Sequence, residues 1–349
     1  MARIAYGVMG DARGHMTRAL IVAREMPHHE FLFIGGGKVH DLAQDGYSVE
    51  DVPIPSTLYR NNRVDIPATV GNALKVWSNK RSVVKRVAQI IDRFDPDLIL
   101  TDYEYFTPLA ARTLGRTCVS LDHQHVVTHC LYEQPREQRV SRLMTSFSIQ
   151  RIFSRPDRFL IVSFYSLPPA DPQTTEVFPP IIKRSVIEQP STEGDHVLVY
   201  QTSPTFHRLP DLLERMGEPF IIYGLGERPA RKNLLFKRPS GDGFLKDLAS
   251  SRYVITNGGH NVVSEALSLG KPVFSFPIAN AYEQFLNAHF LAKLGYGEYW
   301  LAAEPSQEIL REFEGRLDEY KARIKRGVFF GNDRVVSRLE QLITGRGSS

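Results

Sequence analysis

Three groups of residues in this chain of 349 have types and spacings that could do chemistry. The densest is Thr256-Asn257-Gly258-Gly259-His260-Asn261, continued by Ser264-Glu265-Ala266. Successive glycines let backbone N–H groups come close to a phosphate, and the unpaired N–H groups and positive dipole of a following helix favour the anion. Asn261 and Glu265, at i, i+4, share a helix face, where a carboxylate suits the two hydroxyls of a ribose. The segment reads as a cradle for a nucleotide diphosphate; a simple glycine turn after a strand is the plainer alternative. The second group is Gly10-Asp11-Ala12-Arg13-Gly14-His15, with Asp102 at the end of Leu98–Thr101. An imidazole suits removal of a proton from an alcohol near neutral pH, and an acid is needed to orient it and stabilise its charge. The third group is Asp122, His123, His125 and His129. Histidines at i, i+2 on a strand could take a metal, but third and fourth ligands are not evident, so the cluster reads as lining for an acceptor, or as ordinary loop histidines.

The first group extends further along the chain. Gly270-Lys271-Pro272-Val273 follows, then Glu283-Gln284 with Asn287-Ala288. This pattern resembles the C-terminal nucleotide-sugar signature of GT-B glycosyltransferases, of the MurG-like and UDP-glycosyltransferase families. The match is good over roughly 40 residues and looser elsewhere. It implies an α/β fold of two Rossmann-like domains facing across a cleft, the first for the acceptor and the second for the nucleotide-sugar. It implies an inverting transfer from a UDP-sugar donor to a lipid-linked, cell-envelope or other glycan acceptor, with no permanently bound cofactor and no metal. By resemblance, Gly258, Gly259, His260 and Asn261 serve the diphosphate, Glu265 holds the ribose, and Glu283 and Gln284 hold the donor sugar. Ser203 reaches the phosphates, although Pro204 follows it where glycine is usual. Gly224 lines the base or ribose pocket, and Phe244 and Leu245 belong to the segment that reads the uracil edge. The resemblance also makes His15 the catalytic base and puts Asp102 where families with a His-Asp pair have their aspartate, with Glu104 close enough in sequence to replace it. Two other readings use the same residues. A UDP-N-acetylglucosamine 2-epimerase typically has Ser-Gly-Gly and paired glutamates, unlike Asn257-Gly258-Gly259-His260 with Glu265. A non-catalytic nucleotide-sugar sensor keeps the turn and Glu265 but has no use for a positioned His15.

These residues must be positioned by elements, and the patterning supplies them. Strand-like runs at Arg3–Val8, Phe31–Ile34, Val49–Pro53, Asp97–Asp102 and Thr117–Leu121 alternate with helical segments near His15–Met26 and Pro108–Leu114. A second series runs through Val197–Tyr200, Phe220–Tyr223, Tyr253–Thr256 and Val273–Phe276, closed by helices near Ser306–Lys325 and Asn332–Leu342. Strands alternating with helices predict parallel sheets covered on both faces, with ligands beyond the carboxyl ends of the strands. Prolines 168, 169, 172, 179, 180 and 190 predict a stiff connector. The expected organisation is an acceptor domain over 1–166, a linker over 167–194, a nucleotide-sugar domain over 195–330, and a final helix over 331–349 that crosses back to the first domain.

Composition bounds the rest. With 42% hydrophobic and 23% charged residues the chain is an ordinary globular one, and a formal charge of +4 is too small to argue for nucleic acid. No apolar run is long enough to span a bilayer, and Met1-Ala2-Arg3-Ile4 leads directly into a strand without the features of a signal peptide. Cys118 and Cys130 make neither a framework nor a metal spacing, so a reducing cytoplasm is the expected home. Lys75, Lys80, Arg81, Lys85, Arg86 and Arg93 crowd one helical segment whose apolar positions Val83, Val84, Val87, Ile90 and Ile91 face a core. Its charges read as a solvated face or, more sharply, as a patch for anionic lipid at the inner face of a membrane.

Overall fold

A computed structural model describes residues 1–153, 155–201, 206, 208–238, 241–301 and 306–345. Among them the chain gathers into two compact units. The first comprises Met1–Leu58, Asp65–Ile181 and the chain from Gly331 onward; the second comprises Tyr59–Val64 and Ile182–Phe330.

The chain opens with β1 (Arg3–Val8), β2 (Glu30–Gly35) and β3 (Ser48–Asp51), passes through a short hairpin of β4 (Tyr59–Arg60) and β5 (Arg63–Val64), and continues with β6 (Leu98–Asp102), β7 (Cys118–Asp122), β8 (Arg158–Val162) and β9 (Thr175–Phe178). The hairpin aside, these strands form the first unit's parallel sheet, in the order β3-β2-β1-β6-β7-β8-β9. β6 and β7 are buried along their whole length, because helices cover both faces of the sheet. On one face Tyr6, Leu100 and Leu121 pack with Met16, Ala19 and Val22 of the helix Arg13–Glu25. On the other, Ala5 and Ile99 pack with Val87 and Ile91 of the helix Lys80–Phe94 and with Phe106 and Ala110. The order reverses between β1 and β6, which leaves a crevice at their carboxyl ends.

The second unit repeats the plan with β10 (Val197–Tyr200), β11 (Phe220–Tyr223), β12 (Leu234–Lys237), β13 (Val254–Thr256), β14 (Val273–Ser275) and β15 (Gly297–Tyr299). The parallel order is β12-β11-β10-β13-β14-β15, with its reversal between β10 and β13. The β4/β5 hairpin belongs to this unit: Val64 N–H donates to the Ala279 carbonyl at 3.0 Å and Ala279 N–H to that of Asn62 at 3.1 Å.

The structure departs from the sequence reading in four places. The proline-rich stretch is no free connector: Thr175–Phe178 is an edge strand of the first sheet, where proline's missing donor is tolerated nearby, and the unit boundary falls after Ile181. The basic segment is two helices, Ile66–Ser78 and Lys80–Phe94, broken at Asn79. The short strands β4, β5, β8, β12 and β15 are additional to those expected. The helix after β1 begins at Arg13, ahead of the expected start near His15, which puts His15 in its first turn.

The last helix, Asn332–Thr344, is part of the first unit. Val335 and Leu339 are fully buried in its core, Arg338 Nε donates to Glu176 Oε1 at 2.7 Å, and Asn332 Nδ2 to Glu25 Oε1 at 3.0 Å. Glu340 Oε1 stands 3.0 Å from His28 Nε2 and 2.9 Å from His29 Nε2. Among the described residues no helix is long and apolar enough to cross a membrane.

Candidate functional site

In the first unit, the helix that follows β1 carries His15 to the crevice beside β6, whose last residue is Asp102. His15 Nδ1 donates to Asp102 Oδ1 at 2.7 Å, so the neutral ring keeps its lone pair on Nε2. Gln124 Nε2 approaches that Nε2 at 3.4 Å, from the side where an acceptor hydroxyl would have to donate. The Tyr103 ring stacks parallel to the imidazole at 6.2 Å. Tyr103 holds this place with a left-handed φ of +55°, unusual for an aromatic residue. His15 is 8% exposed and Asp102 fully buried, which leaves one edge of the ring available. Arg18, one turn after His15, forks onto the same carboxylate: Nε to Oδ2 and Nη2 to Oδ1, both at 2.7 Å. Burial works against its charge, but Asp102 more than compensates and holds its proton above the ordinary arginine range.

Glu104 does not take Asp102's role. Its oxygens accept from Phe106 N–H at 2.8 Å and Thr107 N–H at 2.6 Å, capping the helix Phe106–Thr113, and burial raises its pKa despite those bonds. The Asp122 cluster is also frame more than lining. His123 Nδ1 donates to the Val162 carbonyl at 2.8 Å; His125 Nδ1 meets Asp122 Oδ2 at 2.6 Å, and both histidines are 1% exposed. Burial would raise the Asp122 pKa, but the His125 charge and hydrogen bonds from His125 and Ser120 hold it well below the usual carboxylate range. Burial, then the neighbouring His125, push the His129 pKa down to about 4, and its ring lies against Phe159 at 4.0 Å.

In the second unit, Gly258 and Gly259 join β13 to the helix His260–Ser268. Gly258 has a φ of +82°, and a Cβ there would meet the Gln284 carbonyl oxygen at 2.7 Å, so only glycine fits. Gly259 is the N-cap, and among the described residues no heavy atom lies within 4 Å of a Cβ position there. His260 is buried, its Nδ1 3.5 Å from Asn261 Oδ1 and its Nε2 3.5 Å from Ser264 Oγ. Glu265, half-buried one turn on, has its pKa raised by burial, offset in part by Lys183. Asn287 Nδ2 bridges the Gly258 carbonyl at 3.0 Å and Glu283 Oε1 at 2.7 Å, and Gln284 Oε1 accepts from Ile278 N–H at 3.1 Å. The turn and the Glu283–Gln284 segment are thus one assembly. Gly224, at the end of β11, has a φ of +91° and stands so near the Gln201 carbonyl that a Cβ would overlap it. Phe244 sits edge-on to Tyr200 at 5.5 Å and Tyr223 at 5.1 Å. Phe244 and Leu245 lie inside the helix Gly241–Ser250. Ser203 lies outside the described residues.

Sequence reasoning gave no role to Arg18 or Gln124. Arg18 was findable, since i+3 from His15 on a helix puts both on one face. Gln124 needed the fold, because 109 residues separate it from His15. Buried Thr256 Oγ1, Ser275 Oγ and the Gln201 amide, at the carboxyl ends of β13, β14 and β10, have no hydrogen-bond partner among the described residues and line the same sheet edge as the glycine turn.

A family model described as "Glycosyl transferase family 1" matches residues 2–318. A protein of Methanosarcina mazei named "Uncharacterized glycosyltransferase" is 26% identical over 353 residues, covering 93% of this chain and 92% of its own. The UDP-N-acetylglucosamine-N-acetylmuramyl-(pentapeptide) pyrophosphoryl-undecaprenol N-acetylglucosamine transferase of Geobacillus thermodenitrificans is 36% identical over 84 residues, 23% of this chain and 24% of that protein. Among solved structures, the glycotransferase of kitacinnamycin aligns with a TM-score of 0.70 at 15% identity, covering 98% of this chain and 99% of that one. MurG of Acinetobacter baumannii aligns with a TM-score of 0.61 at 16% identity, covering 98% and 100%. These likenesses show the fold, two parallel-sheet α/β domains of the GT-B type.

Proposed function

The chain belongs to glycosyl transferase family 1 and is a glycosyltransferase; from that premise we propose that it transfers a sugar from a UDP-sugar to a glycan or lipid-linked acceptor with inversion. The acceptor oxygen attacks the anomeric carbon, His15 Nε2 takes its proton, and the bond to the diphosphate breaks as UDP leaves. The observation that carries this reading is the buried His15–Asp102 contact at 2.7 Å, which fixes the tautomer a general base needs. The leaving diphosphate would rest on the Gly258–Gly259 turn and the N-terminus of the helix His260–Ser268, where backbone N–H groups and the dipole neutralise charge without a metal. Glu265 would take the ribose, and Glu283 and Gln284 the donor sugar. The uracil assignment rests on family likeness.

We extend the reading to a peripheral membrane contact. A groove of about 550 Å³ is lined by Lys80, Arg81, Lys85 and Arg112 together with Val84 and Leu109. The adjoining apolar helix Ile66–Ser78 has no fully buried side chain and exposes Val70 and Leu74. Cations beside exposed apolar groups suit anionic headgroups. The buried free thiols Cys118 and Cys130 suit a reducing compartment.

The test is UDP release from a panel of UDP-sugars and candidate acceptors, for wild type and His15→Ala. Removing a general base lowers turnover by roughly 10²–10⁴-fold while donor binding persists. Equal turnover in the two proteins would remove His15 from the chemistry.

A further inference from the structure

The His15–Asp102 pair does not stand alone. In an ordinary His–Asp pair the carboxylate gives its whole charge to the imidazolium that forms during reaction. Here Asp102 is engaged on both oxygens by Arg18, 3% exposed, whose Nη2 also lies 3.4 Å from His15 Nδ1. Oδ1 thus receives two donors, the imidazole and the guanidinium. A guanidinium cannot give up its proton, so the carboxylate is neutralised before His15 takes one. Protonating His15 then places two cations beside one carboxylate, in a site from which water is largely excluded.

We propose that Arg18 is a positioning residue for the transfer reaction, which locks the Asp102 carboxylate in the plane that meets His15 Nδ1 and screens its charge so that His15 receives the acceptor as neutral imidazole. The proposal rests on the reading of His15 as base. The groups around His15 permit the assignment. From the helix Arg13–Glu25 there is Arg18; from β6, Asp102; from the loop after it, the Tyr103 ring; and from the segment after β7, the uncharged Gln124 amide. Tyr6 of β1 and Asp122 of β7 act on Arg18 at longer range, and His125 meets the Tyr103 ring edge-on at 5.9 Å. Arg18 is the cation within hydrogen-bonding reach of Asp102 among the described residues. The fork also defines what a replacement would lose. Lysine keeps the charge but offers a point donor in place of two parallel ones, whereas glutamine keeps a donor and loses the charge.

The test is the pH–rate profile of Arg18→Lys and Arg18→Gln, with folding checked by circular dichroism. Without the guanidinium, the imidazolium is easier to form. The acid limb of Arg18→Gln should therefore move up by about one pH unit, a roughly tenfold loss of relative rate on that limb. Arg18→Lys should leave the limb in place and lower kcat. A merely structural role lowers kcat in both and moves neither limb, and that outcome overturns the proposal. If the stranded carboxylate keeps Arg18→Gln from folding, Arg18→Gln combined with Asp102→Asn leaves neither of these two positions charged. Compared with Asp102→Asn alone, it should show the same upward shift, and its absence is equally fatal. NMR titration of the His15 ring in the same proteins reports the effect without turnover. A shift seen by NMR in a protein whose His15→Ala variant remains active would sink the base assignment and leave the Arg18 coupling standing.

Discussion

Substituting the two adjacent glycines of the 258–259 turn by alanine should give opposite results. Gly258 has a φ of +82°, and an added Cβ would lie 2.7 Å from the Gln284 carbonyl oxygen and 2.9 Å from Ser275 Oγ. A left-handed backbone costs an L-residue about 1–2 kcal/mol. Forced overlap in packed surroundings adds about 1–3 kcal/mol. Gly258→Ala should therefore lose about 2–5 kcal/mol of the second unit's stability, or roughly 5–15 °C in Tm for a domain of this size. Gly259, with a φ of −63° and open space around its Cβ position, tolerates alanine within about 0.5 kcal/mol. Its methyl group would nevertheless occupy the approach to the helix N-terminus and weaken UDP-sugar binding by at least roughly tenfold, the loss of about one charge-assisted hydrogen bond. The sequence has two tryptophans, Trp77 and Trp300, and Trp300 packs against the second unit's core. In a Trp77→Phe background, urea titration of Trp300 fluorescence reads that unit alone, and calorimetric titration with UDP reads binding. A parent-like midpoint for Gly258→Ala would refute the strained turn. Parent-like UDP affinity in Gly259→Ala would refute the cradle.

Three further outcomes can be measured. Burial raises the Glu265 pKa, so the folded protein binds that proton more readily than the unfolded chain, and ionised Glu265 lowers stability at neutral pH. Glu265→Gln should raise the unfolding midpoint while weakening donor binding by roughly 10–100-fold; a fall in both would mean that the carboxylate is structural. Asp122 has the opposite sign: its depressed pKa stabilises the fold fully above about pH 4 and is lost as pH falls below that. Asp122→Asn should cost about 3–5 kcal/mol at neutral pH and flatten acid unfolding, as read by circular dichroism across pH. Burial pushes the Cys130 thiol up to about 12, so iodoacetamide at pH 8 should label it only in denaturant.

The parts of the fold that could be read from sequence were those with strong local signals. Val197–Tyr200 and Phe220–Tyr223 are uninterrupted apolar runs, and both strands have those bounds. Thr175–Phe178 and Gly297–Tyr299 carry too few apolar residues to announce themselves, since their pairing comes from the sheet beside them. The same division holds at the sites. The Gly258–Glu265 turn is local, so its spacing was informative. The His15–Asp102 partnership spans 87 residues and was reached through family likeness, while Gln124 and the capping use of Glu104 needed the assembled sheet.

The return of the chain to the first unit has a consequence for biosynthesis. Val335 and Leu339 complete the core that Tyr6, Met16 and Leu100 begin. During translation the first sheet is finished at about residue 178, yet its covering helix emerges only after the whole second unit has been made. At about 5–20 residues per second that delay is on the order of ten to thirty seconds, during which the apolar side of the helix Arg13–Glu25 lacks its partner. Domains generally fold in the order of their synthesis, but here the domain begun first is completed last. A nascent chain stalled before Val335 should therefore hold a folded second unit beside an unfinished first one that engages chaperones.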